Sequence, residues 1–240
     1  MYIERTYRNL MKSKGLVYFN TKVKETDLYI GAQSNLKEEA TNLVKKYRRE
    51  IEDFIKAFPE FKKSLVPLDI GLENCPPIVE EMLKASSMVG VGPMAAVAGG
   101  IAEMVGKSLI KYSPEIIVEN GGDVFINSRT SKKIGVFAGR SPFSGKLALQ
   151  VEPEEMPLGV CTSSGTIGPS LSFGKADAVV VVSKNTFLAD AAATALGNMV
   201  KRPEDVASVL EWGIKIPGIQ GIVVIIRDRL GIAGDLKIVK

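Results

Sequence analysis

Asp190 and Thr194 carry the clearest capacity for chemistry in this chain. In the run Leu188-Ala189-Asp190-Ala191-Ala192-Ala193-Thr194-Ala195-Leu196 they stand four residues apart, one above the other on a single helix face. A carboxylate and a hydroxyl so placed are hard oxygen donors, the kind magnesium takes while keeping much of its water. The alanines around them make a slim helix that can approach another backbone or a ligand closely. The same pair has a structural reading: an acid in a helix's first turns suits the macrodipole, and a threonine can bond back to its own helix. Two further stretches offer oxygen and amide donors. Glu119-Asn120-Gly121-Gly122-Asp123 has the composition of a tight turn, and an ordinary hairpin accounts for its spacing. Cys161-Thr162-Ser163-Ser164-Gly165-Thr166 brings hydroxyls and a backbone-exposing glycine that can hold phosphate or ribose oxygens, although such clusters also simply mark loops.

What the chain lacks narrows the chemistry further. It contains no histidine, which excludes Ser-His-Asp and Cys-His catalysis and every histidine-ligated metal site. Cys161 has no such base to activate it, and a buried, inert thiol is expected. Two cysteines make neither a disulfide framework nor a zinc cluster, so a reducing, cytoplasmic setting is expected. The start MYIERTYRNL has no apolar signal region, so export is not expected. The net charge of +4 permits a small anionic ligand but predicts no nucleic-acid surface.

The elements that must position these residues are readable in outline. Ala178 and the valines 179–182 predict a strand buried on both faces, followed by a helix from Phe187 to Met199 with Thr186 as its N-cap. Residues 15–32 alternate as a β-hairpin. Asn35 with Glu38 resembles a capping box, opening a helix whose stripe runs Leu36, Ala40, Leu43, Val44, Tyr47, Ile51, Phe54, Ile55 and Phe58 until Pro59 closes it. After a connector over 67–75, Pro76-Pro77 predicts a short helix ending near Lys84. Residues 85–102 are uncharged, but their glycines and small side chains argue against a membrane span. They predict a small-residue helix from about Pro93 to Val105, whose amino end is a natural phosphate seat. Further strands are expected at 116–118, 124–126, 134–138 and 147–151. Pro203 to Leu210 predicts a helix, and residues 222–227 with 236–239 a closing strand pair.

The order of these pieces is more specific than any one of them. The small-residue helix, Glu119-Asn120-Gly121-Gly122-Asp123 between strands, Ile134-Gly135-Val136, Thr162-Ser163-Ser164-Gly165, and Leu188-Ala189-Asp190 running into Ala193-Thr194-Ala195-Leu196 together resemble the ApbE flavin transferase family. The likeness covers roughly residues 90–199, and is greatest to a shorter ApbE-like branch found in archaea and anaerobic bacteria. It implies an α/β (α+β) fold with mixed β-sheets and packed helices in two intimately joined subdomains, spanning 1–240 as one ApbE-like domain. It implies FAD or FMN as ligand and Mg2+ as cofactor, with FMN transferred to a threonine hydroxyl of a protein acceptor. By that likeness Asp190 and Thr194 ligate magnesium, Gly121, Gly122 and Asp123 lie close to the flavin nucleotide, and Thr162, Ser163, Ser164 and Gly165 cover its phosphates. The chain departs from the family at residues 167–175, where a His-Ile-Ile-Asp-Pro type segment is usual and neither histidine nor aspartate occurs. It departs again near Ala96-Val97-Ala98-Gly99, where the family has a Lys-Gly-x-Ala-x-Asp segment. An enzyme of reduced type, and a non-catalytic binding or accessory protein of anaerobic sulfur assimilation and homocysteine formation, both remain open from sequence.

Overall fold

The structure is a computed structural model that describes residues 7–8, 11–71, 73, 75–166 and 172–239. Residues 1–6 and 9–10 of the amino-terminal run, Leu72 and Asn74 of the connector, and 167–171 of the segment where the family histidine is usual lie outside the described residues.

The valine run lies in β8 (Ala178–Ser183), buried throughout, because it is central in a sheet covered on both sides. Its neighbours are β7 (Leu158–Ser163) and β9 (Ile219–Ile226). Beyond β7 come β4 (Asp123–Asn127), β3 (Ile116–Asn120), β2 (Thr26–Ala32) and β1 (Val17–Val23). Beyond β9 comes β10 (Arg229–Gly234), giving the order β1-β2-β3-β4-β7-β8-β9-β10. A smaller sheet is formed by β5 (Lys132–Gly135), β6 (Ala148–Val151) and β11 (Lys237–Val239), in the order β11-β6-β5. Pairing is antiparallel throughout both sheets. The fold class is α+β, as the resemblance implies.

Strand periodicity divides the core in two. Val179 and Val181, with Ile116, Val118 and Val224, face the helices. Val180 and Val182, with Ile117, Val223 and Ile225, face Leu149 and Val151 of the small sheet. The helical layer contains α1 (Lys37–Ala57), α2 (Glu60–Lys63), α3 (Pro77–Val89), α4 (Val97–Leu109), α5 (Thr186–Met199) and α6 (Val206–Gly213). The expected stripe of α1 is the one it buries, through Ala40, Val44, Tyr47, Ile51 and Phe54; each large side chain there contributes roughly 1.5–3 kcal/mol relative to exposure.

Several expectations need correction. The cap of α5 is Asn185, whose side chain accepts from the Leu188 amide at 2.9 Å, and Thr186 is the first helical residue. At α1, Asn35 accepts instead from the Lys37 amide at 3.1 Å and Leu36 stands at the cap. α3 continues to Val89 because nothing breaks it before Gly90, which adopts the left-handed C-cap. The small-residue stretch starts as a 3-10 turn over Pro93–Ala96 before becoming α4. β9 pairs with β10, while residues 237–239 join β6 in the small sheet. Among the described residues no single helix is long and apolar enough to cross a membrane; α3 and Pro93–Leu109 pass on length and composition only as a pair bent by 107°.

Register gathers the loops of interest. The pairs Val23↔Thr26, Asn120↔Asp123, Ser163↔Val179, Ala178↔Ile225 and Ile226↔Arg229 put the β1–β2, β3–β4 and β9–β10 turns at one end of the large sheet. The exit of β7 and the entry of β8 lie at that same end.

Candidate functional site at one end of the large sheet

The β3–β4 turn has two residues, Gly121 at φ 70° and Gly122 at φ 110°. Positive φ at both central positions is what a type I′ hairpin demands, and glycine meets it without a Cβ clash. The Gly122 amide donates to Glu119 Oε1 at 2.9 Å. Asp123 then opens β4, and its Oδ1 accepts from the Thr162 amide at 3.2 Å. The two polar stretches, 39 residues apart in the chain, therefore meet directly. Cys161 to Ser163 belong to β7 rather than to a loop. Only Ser164 and Gly165 leave the sheet, and the Gly165 amide donates to the Ala176 carbonyl at 2.9 Å. A Cβ on Gly165 would lie 2.4 Å from the Gly174 carbonyl oxygen, so the bend is closed against the segment entering β8.

Asp190 reaches this place from α5 and does so by capping another helix. Its Oδ2 accepts from the Gly99 amide in the first turn of α4 at 2.8 Å. In return Glu103 of α4 accepts from the Thr186 amide, the first of α5, at 2.5 Å. Each helix thus closes the other's amino end with a carboxylate, satisfying amides that have no intrahelical partner. Glycine makes the approach possible: a Cβ on Gly99 would lie 2.5 Å from the Thr186 carbonyl oxygen and 2.8 Å from Asp190 Cβ. The phosphate seat expected at α4 is occupied from within by Asp190. Asn120, at the end of β3, adds a hydrogen bond from its Nδ2 to the Ala98 carbonyl at 3.0 Å.

The electrostatics of this corner are those of crowded acids. Burial first, then the charge of Asp123, pushes the Asp190 carboxyl well above the usual carboxylate range, against the opposing pull of the Gly99 and Ala98 amides. Burial and the charges of Asp123 and Asp190 likewise push the Cys161 thiol far up. Cys161 is fully buried and hydrogen-bonds the Thr186 carbonyl at 3.6 Å, the setting of an unactivated thiol. Thr194, one turn beyond Asp190, is half-buried, and Gly197 packs against Ser163, where an added Cβ would meet Oγ at 3.3 Å. The α5 face carrying Asp190 and Thr194 thus runs along the exit of β7. The donors are all oxygen and the two acids raise one another's energy, a setting a hydrated magnesium ion relieves. Among the described residues no group of three or more His, Cys, Asp or Glu forms a metal cluster, so such an ion would rest on few protein ligands.

Comparison with known proteins decides the family. The family profile described as "AbpE bacteria" matches residues 8–230. The chain belongs to the ApbE-like family. A UPF0280 protein of Methanosarcina acetivorans is 40% identical over 201 residues, covering 83% of this chain and 79% of that protein. The UPF0280 protein of Methanocaldococcus jannaschii is 39% identical over 220 residues, covering 89% of each. The UPF0280 protein of Methanothrix thermoacetophila is 49% identical over 154 residues, 64% of this chain and 65% of that protein. These relatives are consistent with the shorter ApbE-like branch of archaea and anaerobic bacteria. Among solved structures, the ApbE protein from Thermotoga maritima matches with TM-score 0.56 and 14% identity over 90% of this chain and 96% of that one. A mutant of the flavin transferase ApbE from Vibrio cholerae matches with TM-score 0.56 and 13% identity over 91% and 96%. At such identity these two establish the shared fold alone.

Within this ApbE-like fold, the candidate residues fall into two groups. The β3–β4 turn of Gly121 and Gly122 leads into Asp123, which meets Thr162, and α5, which bears Asp190 and Thr194, packs against Ser163 at Gly197. Ser164 and Gly165 turn instead toward residues 174–177. Sequence reasoning missed Glu119 and Asn120, which hold the turn and the start of α4. Both sit inside the Glu-Asn-Gly-Gly-Asp run, but their partners Arg8 and Ala98 are remote in sequence, and no local pattern announces them.

Proposed function

We propose that this protein binds a flavin nucleotide, FAD or FMN, or a similar small anionic ligand over this end of the large sheet, in the cytoplasm. The observation that carries the reading is the convergence of Gly122–Asp123, Thr162–Ser163 and Asp190, three separated stretches of chain, at one place. Gly121, Gly122 and Asp123 would lie along the nucleotide. The hydroxyls of Thr162, Ser163 and Ser164 would hold phosphate oxygens, with Gly165, whose amide is spent on the Ala176 carbonyl, shaping the bend that presents them. Magnesium held by Asp190 and Thr194 would supply positive charge that offsets the phosphates. Catalysis at this corner would be transfer of FMN from FAD to an acceptor-protein hydroxyl, the pyrophosphate bond breaking and AMP leaving, by a reduced site. Asp190 would hold the cation and the β7 bend would orient the diphosphate.

A second reading is supported by two specific observations: the chain has no histidine, and Asp190 already caps α4. On that reading the protein holds its ligand without turnover, as a binding or accessory protein in anaerobic metabolism. Thermal denaturation with FAD, FMN and ATP, each with and without magnesium, tests the binding both readings require. Stabilisation by a flavin nucleotide is expected to grow with magnesium. The magnesium-dependent part should vanish in Asp190→Asn, which keeps an oxygen for the Gly99 amide while removing the charge. No stabilisation by any nucleotide would sink both readings. Chromatographic assay of FMN release from FAD separates them.

A further inference from the structure

A hollow of about 310 Å³ at the same sheet end, lined by Arg140, Ser141, Pro142, Asp177, Arg227 and Asp228, takes no part in the site above. Its backbone is closely tied. Arg227, in the β9–β10 turn, has φ 53°, a left-handed conformation that costs a non-glycine residue roughly 1–2 kcal/mol. The turn is held on both sides of that residue: the Arg227 amide donates to Asp177 Oδ2 at 2.6 Å, and the Arg227 carbonyl accepts from Ser141 Oγ at 2.7 Å. Asp177 Oδ1 accepts from Thr166 Oγ1 at 3.2 Å, which ties the hollow to the bend after β7. Because Ser141 follows Arg140, the contact that seats Arg227 also seats Arg140.

The two arginine heads are not satisfied by the protein. Both residues are exposed. Among the described residues neither guanidinium has an ion pair or a side-chain hydrogen bond, and both Asp177 oxygens are already engaged. Asp228 lines the same hollow but pairs with neither arginine. Lys24 offers a control within the molecule. It too is a non-glycine residue at φ 53°, in the β1–β2 turn, yet its ammonium pairs with Glu52 at 2.7 Å. A strained backbone position that presents an unpaired cation is a feature from which function can be argued. Guanidinium forks match the oxygens of phosphate. The hollow is at the small end of the range for ligand pockets, which suits a phosphoryl group better than a whole dinucleotide.

We propose that Arg140 and Arg227 form a binding site for a phosphoryl or diphosphoryl oxyanion, carried either as a free ion or within a nucleotide. The site stands apart from the flavin reading and survives its failure. Calorimetric titration of the full chain with inorganic diphosphate at low ionic strength tests it. Saturable binding is expected, weakened about tenfold in each of Arg140→Gln and Arg227→Gln, with the ligand-free melting temperature unchanged to confirm folding. Arg229→Gln removes the same charge from a neighbouring strand outside the hollow and is expected to bind as the natural chain does. FAD titration distinguishes the sources. A parallel loss of FAD affinity in the two hollow variants assigns the oxyanion to a nucleotide, whereas unchanged FAD affinity beside lost diphosphate binding assigns it to a free ion. Failure of the natural chain to bind diphosphate, undiminished binding in the two hollow variants, or an equal loss in Arg229→Gln would overturn the proposal.

Discussion

The β3–β4 and β9–β10 turns are both two residues long, stand at the same end of one sheet, and have an amide fixed by a carboxylate, but they resolve their charge in opposite ways. In the first, Glu119 holds the Gly122 amide, and the balancing cation comes from within. Arg8 donates to Glu119 Oε2 at 2.7 Å and to Asp27 Oδ1 at 2.8 Å, and Tyr7 donates to Glu119 Oε1 at 2.6 Å. Arg8 and Glu119 are buried. The turn residues themselves are glycines that show only backbone. In the second, Asp177 holds the Arg227 amide, its other oxygen faces a neutral hydroxyl, and the cation is the turn residue itself, turned outward. One turn neutralises its acid inside the fold and presents only backbone; the other holds a strained residue that presents a charged side chain.

If that contrast is right, the largest effect belongs to the internal cation. Arg8→Ala removes the buried cation that Glu119 and Asp27 share, and should cost about 3–5 kcal/mol in urea unfolding. A loss below about 1 kcal/mol would show that water reaches these acids and that the first turn is no better neutralised than the second. Next comes Asp177→Ala, which frees the Arg227 amide and the Thr166 hydroxyl at a half-buried site. It should cost about 1–2 kcal/mol and weaken diphosphate binding by loosening the root of Arg227. That loss of about 1–2 kcal/mol with unchanged diphosphate affinity would separate the brace from the arginine.

The same contrast explains what was legible in the sequence. Patterns confined to one element were readable: the buried valine strand, the stripe of α1, and the Gly121–Gly122 turn, whose backbone geometry only glycine tolerates well. So was the order of motifs that carries the ApbE-like resemblance. What was not readable depends on groups far apart in the chain. Asp190 reads as an acid in its own helix, yet it caps α4 across 91 residues. Residues 237–239 look like the partner of the preceding strand, but a short apolar segment pairs with whatever edge is open, and β6 in the small sheet supplies it. Arg227-Asp228 carries none of the glycine or asparagine that usually signals a tight hairpin, because Asp177 and Ser141 enforce the turn from outside. Thr162 and Ser163 read as loop because hydroxyl clusters usually are, whereas here they finish a strand.

The smaller effects test the strain directly. Arg227→Gly removes the left-handed penalty and should raise stability by about 1 kcal/mol while weakening diphosphate binding about tenfold, as Arg227→Gln does, so stability and binding move in opposite directions. Lys24→Gly relieves the same φ of 53°, but it also removes the ion pair with Glu52, whose members are 59% and 36% exposed. Exposed pairs of this kind contribute about 0.2–1 kcal/mol, close to what strain relief returns, so the net change should lie within about 0.5 kcal/mol of zero. Equal stabilisation by the two glycine substitutions would mean that the Lys24 pair contributes nothing. The internal control for an unsatisfied Arg227 would then fail. A clear gain for Arg227→Gly beside none for Lys24→Gly is the result that follows if only Arg227 is held strained without a partner of its own.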